Sequence, residues 1–212
     1  MKKMNKIITS VIIALSLVLT LSSCAKTKAQ QYYDKAQVIL NEKYINDFSE
    51  EDNREVQALL DKAIEAKKDW FKPYWQKIQL YKLPPTDNIE EILNIYNLWI
   101  DNGNTLDEIN LLSYGCTHYS NGNKDSAKEI FNSIYYRNQN KLASSKFTKK
   151  KDNEPTLVAA ILSGMFSGII KDRSDLEKIA LETEAQRIFF YSTLEEIESN
   201  GLDEIIKCYA GL

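Results

Sequence analysis

Four residues carry most of the reactive side-chain chemistry of this chain: Cys24, Cys116, His118 and Cys208. A thiol can be acylated, paired in a disulfide, or used as nucleophile or metal ligand once its thiolate is stabilised. His118 is the one histidine of 212 residues, which excludes metal sites and triads that need two imidazoles. Cys116-x-His118 makes a poor metal pair, because positions i and i+2 of a helix point to different faces. No P-loop and no Gly-rich nucleotide turn occur. A glycosidase needs two positioned carboxylates, and nothing singles out two from the 30 acids present. Adjacent acids such as Glu195-Glu196 read as a solvated helix face. The sequence thus predicts no catalytic constellation, no metal and no cofactor.

Cys24 stands apart because of what precedes it. Lys2, Lys3 and Lys6 open the chain without an acid among them, and Ile7 to Leu21 is apolar apart from a few Ser and Thr. The small residues Ser22 and Ser23 follow. A positive start, an apolar middle and a small-residue end are the parts of an export leader. The apolar run is too short for a comfortable span of roughly 20 residues. Leu21-Ser22-Ser23-Cys24 resembles the lipobox of bacterial lipoproteins. The resemblance implies diacylglycerol on the Cys24 thiol and cleavage between Ser23 and Cys24. The mature protein would then be tethered to a membrane of the cell envelope by its first residue, since two or three acyl chains anchor stably. In Gram-negative members of that family an Asp after the cysteine marks inner-membrane retention. Ala25 stands there instead, which implies the outer membrane if the source is Gram-negative.

Removing residues 1–23 leaves 189, enough for one domain with a real core. The chain's formal charge is −3 and the leader holds three lysines, so the mature body is at about −6. A nucleic-acid binder would concentrate basic residues on one face, so none is expected as a partner. Seven Gly and four Pro punctuate the chain sparsely, which predicts an all-α body with short connections. With Cys24 acylated, two thiols remain. Their pairing requires Cα atoms within about 7 Å, and two small buried thiols are the favoured reading over a bridge.

The helices that position these residues follow from apolar spacing and punctuation. Residues 24–28 read as a tether. Tyr32, Tyr33, Ala36, Ile39 and Leu40 predict a helix from Ala29 to about Lys43. Ser49 followed by three acids predicts the start of the next, ending near Lys68. Pro73 suits the first turn of a helix over Phe71–Tyr81. Asp87-x-x-Glu90 and Thr105-x-x-Glu108 resemble capping boxes. The second opens a helix to about Ser120, and Asp125 to Arg137 forms its partner.

That pair carries a second resemblance. Leu111, Tyr114, Gly115, His118, Ala127 and Phe131 fall in order on the pattern of the tetratricopeptide repeat. Ile134 stands where a small Ala is usual, and the closing Pro is absent. Leu60, Tyr96 and Phe131 are spaced by 36 and 35 residues, as are Ala63, Trp99 and Ile134, close to the family's 34. The resemblance implies a right-handed solenoid of helical hairpins over residues 29–137. Gly115 and Ala127 are expected to face each other across the hairpin, with Phe131 filling the gap to the next. His118 is expected as a core or groove residue.

Residues 138–153 break the rhythm as a basic linker containing Lys141, Lys146, Lys149, Lys150 and Lys151. It reads as a solvated loop, or alternatively as a contact for lipid phosphates or an acidic partner. Residues 154–212 form a C-terminal helical extension expected to pack on the repeats. Its first helix, Thr156–Ile170, is apolar enough to be buried all round. Ser174-x-x-Glu177 is expected to cap the next, whose apolar face runs through Ile188, Phe189 and Leu194.

Of the aromatics crowding the middle of the chain, Trp70 and Tyr74 are the candidates for a concave groove that binds a partner. The sequence points first to a lipid-anchored, non-catalytic module that binds an envelope protein or peptide. The alternative is a small-ligand binder or cell-wall hydrolase with a pocket beside the 156–170 helix. A third reading makes the repeats a spacer.

Overall fold

The structure is a computed structural model that describes residues 27–43, 48–82, 88–143, 154–181 and 183–210. It is all-α, with ten helices and no strand among the described residues. The leader, Ser23 and Cys24 lie outside them, as do residues 144–153 of the basic linker. No described helix is long and apolar enough to cross a membrane.

The chain divides into two compact units, Met1–Pro73 and Tyr74–Leu212. In the first, α1 (Lys28–Lys43) packs antiparallel-fashion on α2 (Glu50–Ala66). Ala36 and Leu40 are buried on α1, and Val56, Leu60, Ala63 and Ile64 on α2, as the apolar spacing predicts. Ser49 caps α2 in a reciprocal box with Asp52. The same carboxylate accepts from Lys43 at 2.6 Å, which ties the end of α1 to the start of α2. Tyr33 meets Trp70 edge-on with ring centres 5.0 Å apart.

The second unit begins inside α3 (Phe71–Tyr81), followed by α4 (Ile89–Asp101), α5 (Glu108–Ser120) and α6 (Lys124–Leu142). Asn88 caps α4 and Asp107 caps α5, accepting from the N–H groups of Glu91 and Asn110. Thr105 is therefore not the cap of α5. Its carbonyl instead accepts from the Trp99 indole at 3.0 Å, which holds Thr105 in the loop two residues before the Asp107 cap.

α5 and α6 form a tight hairpin turned by Gly122, whose φ of +83° a side chain would strain. A Cβ on Gly115 would lie 2.6 Å from Phe131 Cε1. Gly115 thus makes room for the Phe131 ring, rather than for Ala127 as the spacing suggested. Phe131 also meets Phe166 of α7 (Glu154–Phe166) edge-on at 5.5 Å, so it does bridge the hairpin to its neighbour.

The expected linker start at residue 138 is corrected: α6 continues to Leu142. Phe131, Ile134, Asn138 and Leu142 are all at or below 3% exposure. They form one buried stripe at helical spacing, hidden in the sequence because Asn138 is polar. Its amide donates to the Ile134 carbonyl at 2.9 Å, which satisfies it inside the core.

α7 is buried on nearly every side, as its composition predicts, but it stops at Phe166 rather than Ile170. Gly168 takes φ +75°, and the N–H groups of Gly168 and Ile169 donate back to the Met165 and Gly164 carbonyls. That is a glycine-dependent helix stop. Next, the single turn α8 (Arg173–Leu176) is capped by Asp172, not Ser174. Ser174 donates to the same Asp172 carboxylate at 2.8 Å.

α9 (Glu184–Asn200) is capped by Thr183 with Gln186. Its inward aromatic is Phe190, fully buried, whereas Ile188 and Phe189 are 58% and 41% exposed. Leu194 is buried as expected, but the turn before it faces inward through Phe190 rather than through Ile188 or Phe189. α10 (Leu202–Ala210) returns to pack on α5. α5 is contacted by α4, α6, α7 and α10, which makes it the centre of this unit.

Candidate functional site

The two aromatics expected in a partner groove differ in placement. Tyr74 is fully buried. Its ring meets Trp99 edge-on at 5.1 Å, and its hydroxyl accepts from the Asn102 amide at 3.1 Å. Tyr74 is thus a core residue and is withdrawn as a groove residue. Trp70 is half-buried against Tyr33. The open aromatic is their neighbour Trp75, 46% exposed. Consecutive helix positions lie about 100° apart, so burying the Tyr74–Ile78 side of α3 turns Trp75 outward.

The thiols also part company. Cys116 is buried and Cys208 is exposed, and both are free. The expectation of two buried thiols fails at Cys208, which sits on the outer side of α10. Burial pushes the Cys116 thiol up to about 12, so it is inert as a nucleophile at neutral pH. His118 is half-buried with Tyr114 edge-on at 4.4 Å. Burial lowers its pKa below the ordinary histidine value, and its Nδ1 is buried without a hydrogen-bond partner. Among the described residues, no three of His, Cys, Asp and Glu converge as metal ligands.

One concavity draws on five helices of the second unit. It has a volume of about 260 Å³. Trp75 and Gln79 come from one face of α3, four residues apart, and Lys82 from the turn just past its end. Tyr96 comes from α4, and Ile109, Asn110, Leu112 and Ser113 from the first turns of α5. Val158 and Leu162, one turn apart on α7, and Tyr209 of α10 complete it. Tyr96, Leu112 and Leu162 are 2%, 4% and 0% exposed and form its floor. Trp75 and Ile109, at 46% and 39%, stand at its mouth. Burial pushes the Tyr96 phenol up to about 12. Burial also holds the half-buried Lys82 ammonium below the ordinary lysine value, with the nearby Cys116 thiol opposing.

The sequence reading missed Trp75 and Lys82 as site residues. The signal was the 75/79/82 spacing, which continues one side of α3 into the turn that follows it. The pocket does adjoin the apolar α7, where the small-ligand alternative located it.

Compared with known protein families, curated proteins and solved structures, the chain shows no significant match to any.

Proposed function

We propose that this protein is a lipid-anchored interaction module of a bacterial cell envelope, held by acyl chains on Cys24 and built from degenerate tetratricopeptide-like hairpins. Its role is to bind an envelope protein or peptide, without catalysis. In a Gram-negative cell it belongs at the outer membrane.

One observation carries the repeat reading. Leu60, Tyr96 and Phe131, and likewise Ala63, Trp99 and Ile134, recur at the repeat period and are all buried, none above 7%. The close approach of α6 to Gly115 is the same small-residue device that lets a repeat hairpin close. Support for the anchor is the leader and lipobox sequence alone.

The test is crosslinking of the lipidated protein in its own cells, with a Cys24→Ala form as control. The proposal expects a few specific envelope proteins to co-purify with the anchored form and to be lost from the control. Recovery of no specific partner from either form would remove the interaction role.

A further inference from the structure

The cleft between α3, α4, α5, α7 and α10 holds a charge that no described residue pairs with. Of its eleven lining residues, Lys82 is the one that is charged at neutral pH. Among the described residues, none of the ion pairs includes it. Lys82 is half-buried and lines the cleft with Trp75, Tyr96 and Leu162. It has lost part of its hydration, and among the described residues no carboxylate stands within ion-pair distance of it. Gln79, Asn110 and Ser113 add neutral hydrogen-bonding groups to otherwise apolar walls. An apolar concavity with a few polar groups is the usual form of a small-molecule site. Here the sign of the charge selects the ligand.

We propose that this cleft binds a small amphipathic monocarboxylic acid, its carboxylate set against the Lys82 ammonium and its flat apolar body laid over Tyr96, Leu112 and Leu162 beneath Trp75. The volume of about 260 Å³ falls just below the roughly 300 Å³ at which drug-sized ligands begin, so the body is one ring or a short chain. The site is distinct from the partner-binding role and stands whether or not Cys24 is acylated.

The test uses the full protein, in lipid nanodiscs with empty discs subtracted where it carries lipid and in buffer where it does not. The calorimetric probes are 4-phenylbutyrate, its neutral amide and 4-phenylbutylamine. The carboxylate is expected to bind saturably, at least about tenfold tighter than the amide, with the amine weakest. Lys82→Met should bring the carboxylate down to the level of the amide while leaving amide binding unchanged and the thermal midpoint no lower than that of wild type. Val158→Trp, which fills the cleft from a half-buried position, should abolish binding of both. Four results would each overturn the proposal: no saturable binding of the carboxylate up to about 10 mM, equal binding of carboxylate and amine, undiminished carboxylate binding by Lys82→Met, or undiminished binding by Val158→Trp.

Discussion

Gly115 has no room for a methyl group. The nearest atoms to an added Cβ belong to Phe131, at 2.6 and 3.0 Å, and that ring is 1% exposed and held edge-on by Phe166. Gly115→Ala is expected to destabilise the protein by about 1–3 kcal/mol, despite the better helix propensity of Ala. Gly164→Ala meets the tip of Ile170 and the edge of the half-buried Tyr135 ring, which can move, so its loss should be smaller. Equal denaturation midpoints for Gly115→Ala and wild type would contradict this packing. Asp52 gives a pH-dependent case. The Lys43 ammonium, then the Ser49 hydroxyl and N–H, lower its carboxyl from 3.8 to about 2. A carboxyl depressed on folding stabilises the native state above its unfolded value, and that contribution disappears as pH falls through the folded one. Asp52→Asn should therefore lower the thermal midpoint at pH 7, with the gap to wild type closing between about pH 4 and pH 2. A gap that ignores pH would assign the effect to the helix cap alone. In the Cys24→Ser protein, a disulfide reagent should modify Cys208 at once and Cys116 only on unfolding, as their exposure dictates.

Helix ends show where sequence is weakest and where structure can be checked most cheaply. Asp107 accepts from the Asn110 N–H at 2.8 Å, so Asp107→Ala should cost about 1 kcal/mol. Thr105→Ala should cost almost nothing, because Thr105 contributes only its backbone carbonyl to Trp99. The reverse order would restore the Thr105 cap suggested by the sequence. On α9, Phe190→Ala should destabilise by about 3–5 kcal/mol, while the 41% exposed Phe189 should cost about 1 kcal/mol or less. Most helices were legible: α1, α2, α3 and α10 fall within a residue or two of the apolar spacing, but the single helix expected from Ser174 to about Ser199 is broken into α8 and α9, with no helix between Leu176 and Glu184 among the described residues. What spacing could not show was which neighbouring aromatic turns inward. Tyr74 against Trp75 and Phe190 against Phe189 are adjacent and chemically alike, so only the packed neighbours decide. Nor could it show that Asn138 belongs to a core stripe, since its amide is satisfied by its own helix.

At the scale of the whole molecule, an all-α body follows a stretch that resembles an export leader. The fold class came from composition, periodicity and the scarcity of Gly and Pro. Site residues came through less well, because the cleft takes single residues from α4 and α10 and short runs from three other helices. No local pattern records that convergence. The anchor rests on four residues, Leu21 to Cys24, behind three lysines and an apolar run, and the proposed role depends on it. The most direct measurement is mass spectrometry of the N-terminal peptide of the mature protein extracted from its own membranes. The account predicts Cys24 as the first residue with diacylglycerol on its thiol, and release of a Cys24→Ala form from the membrane fraction. A mature N-terminus at another position, or an unmodified Cys24 on a protein that stays with the membrane, would contradict it.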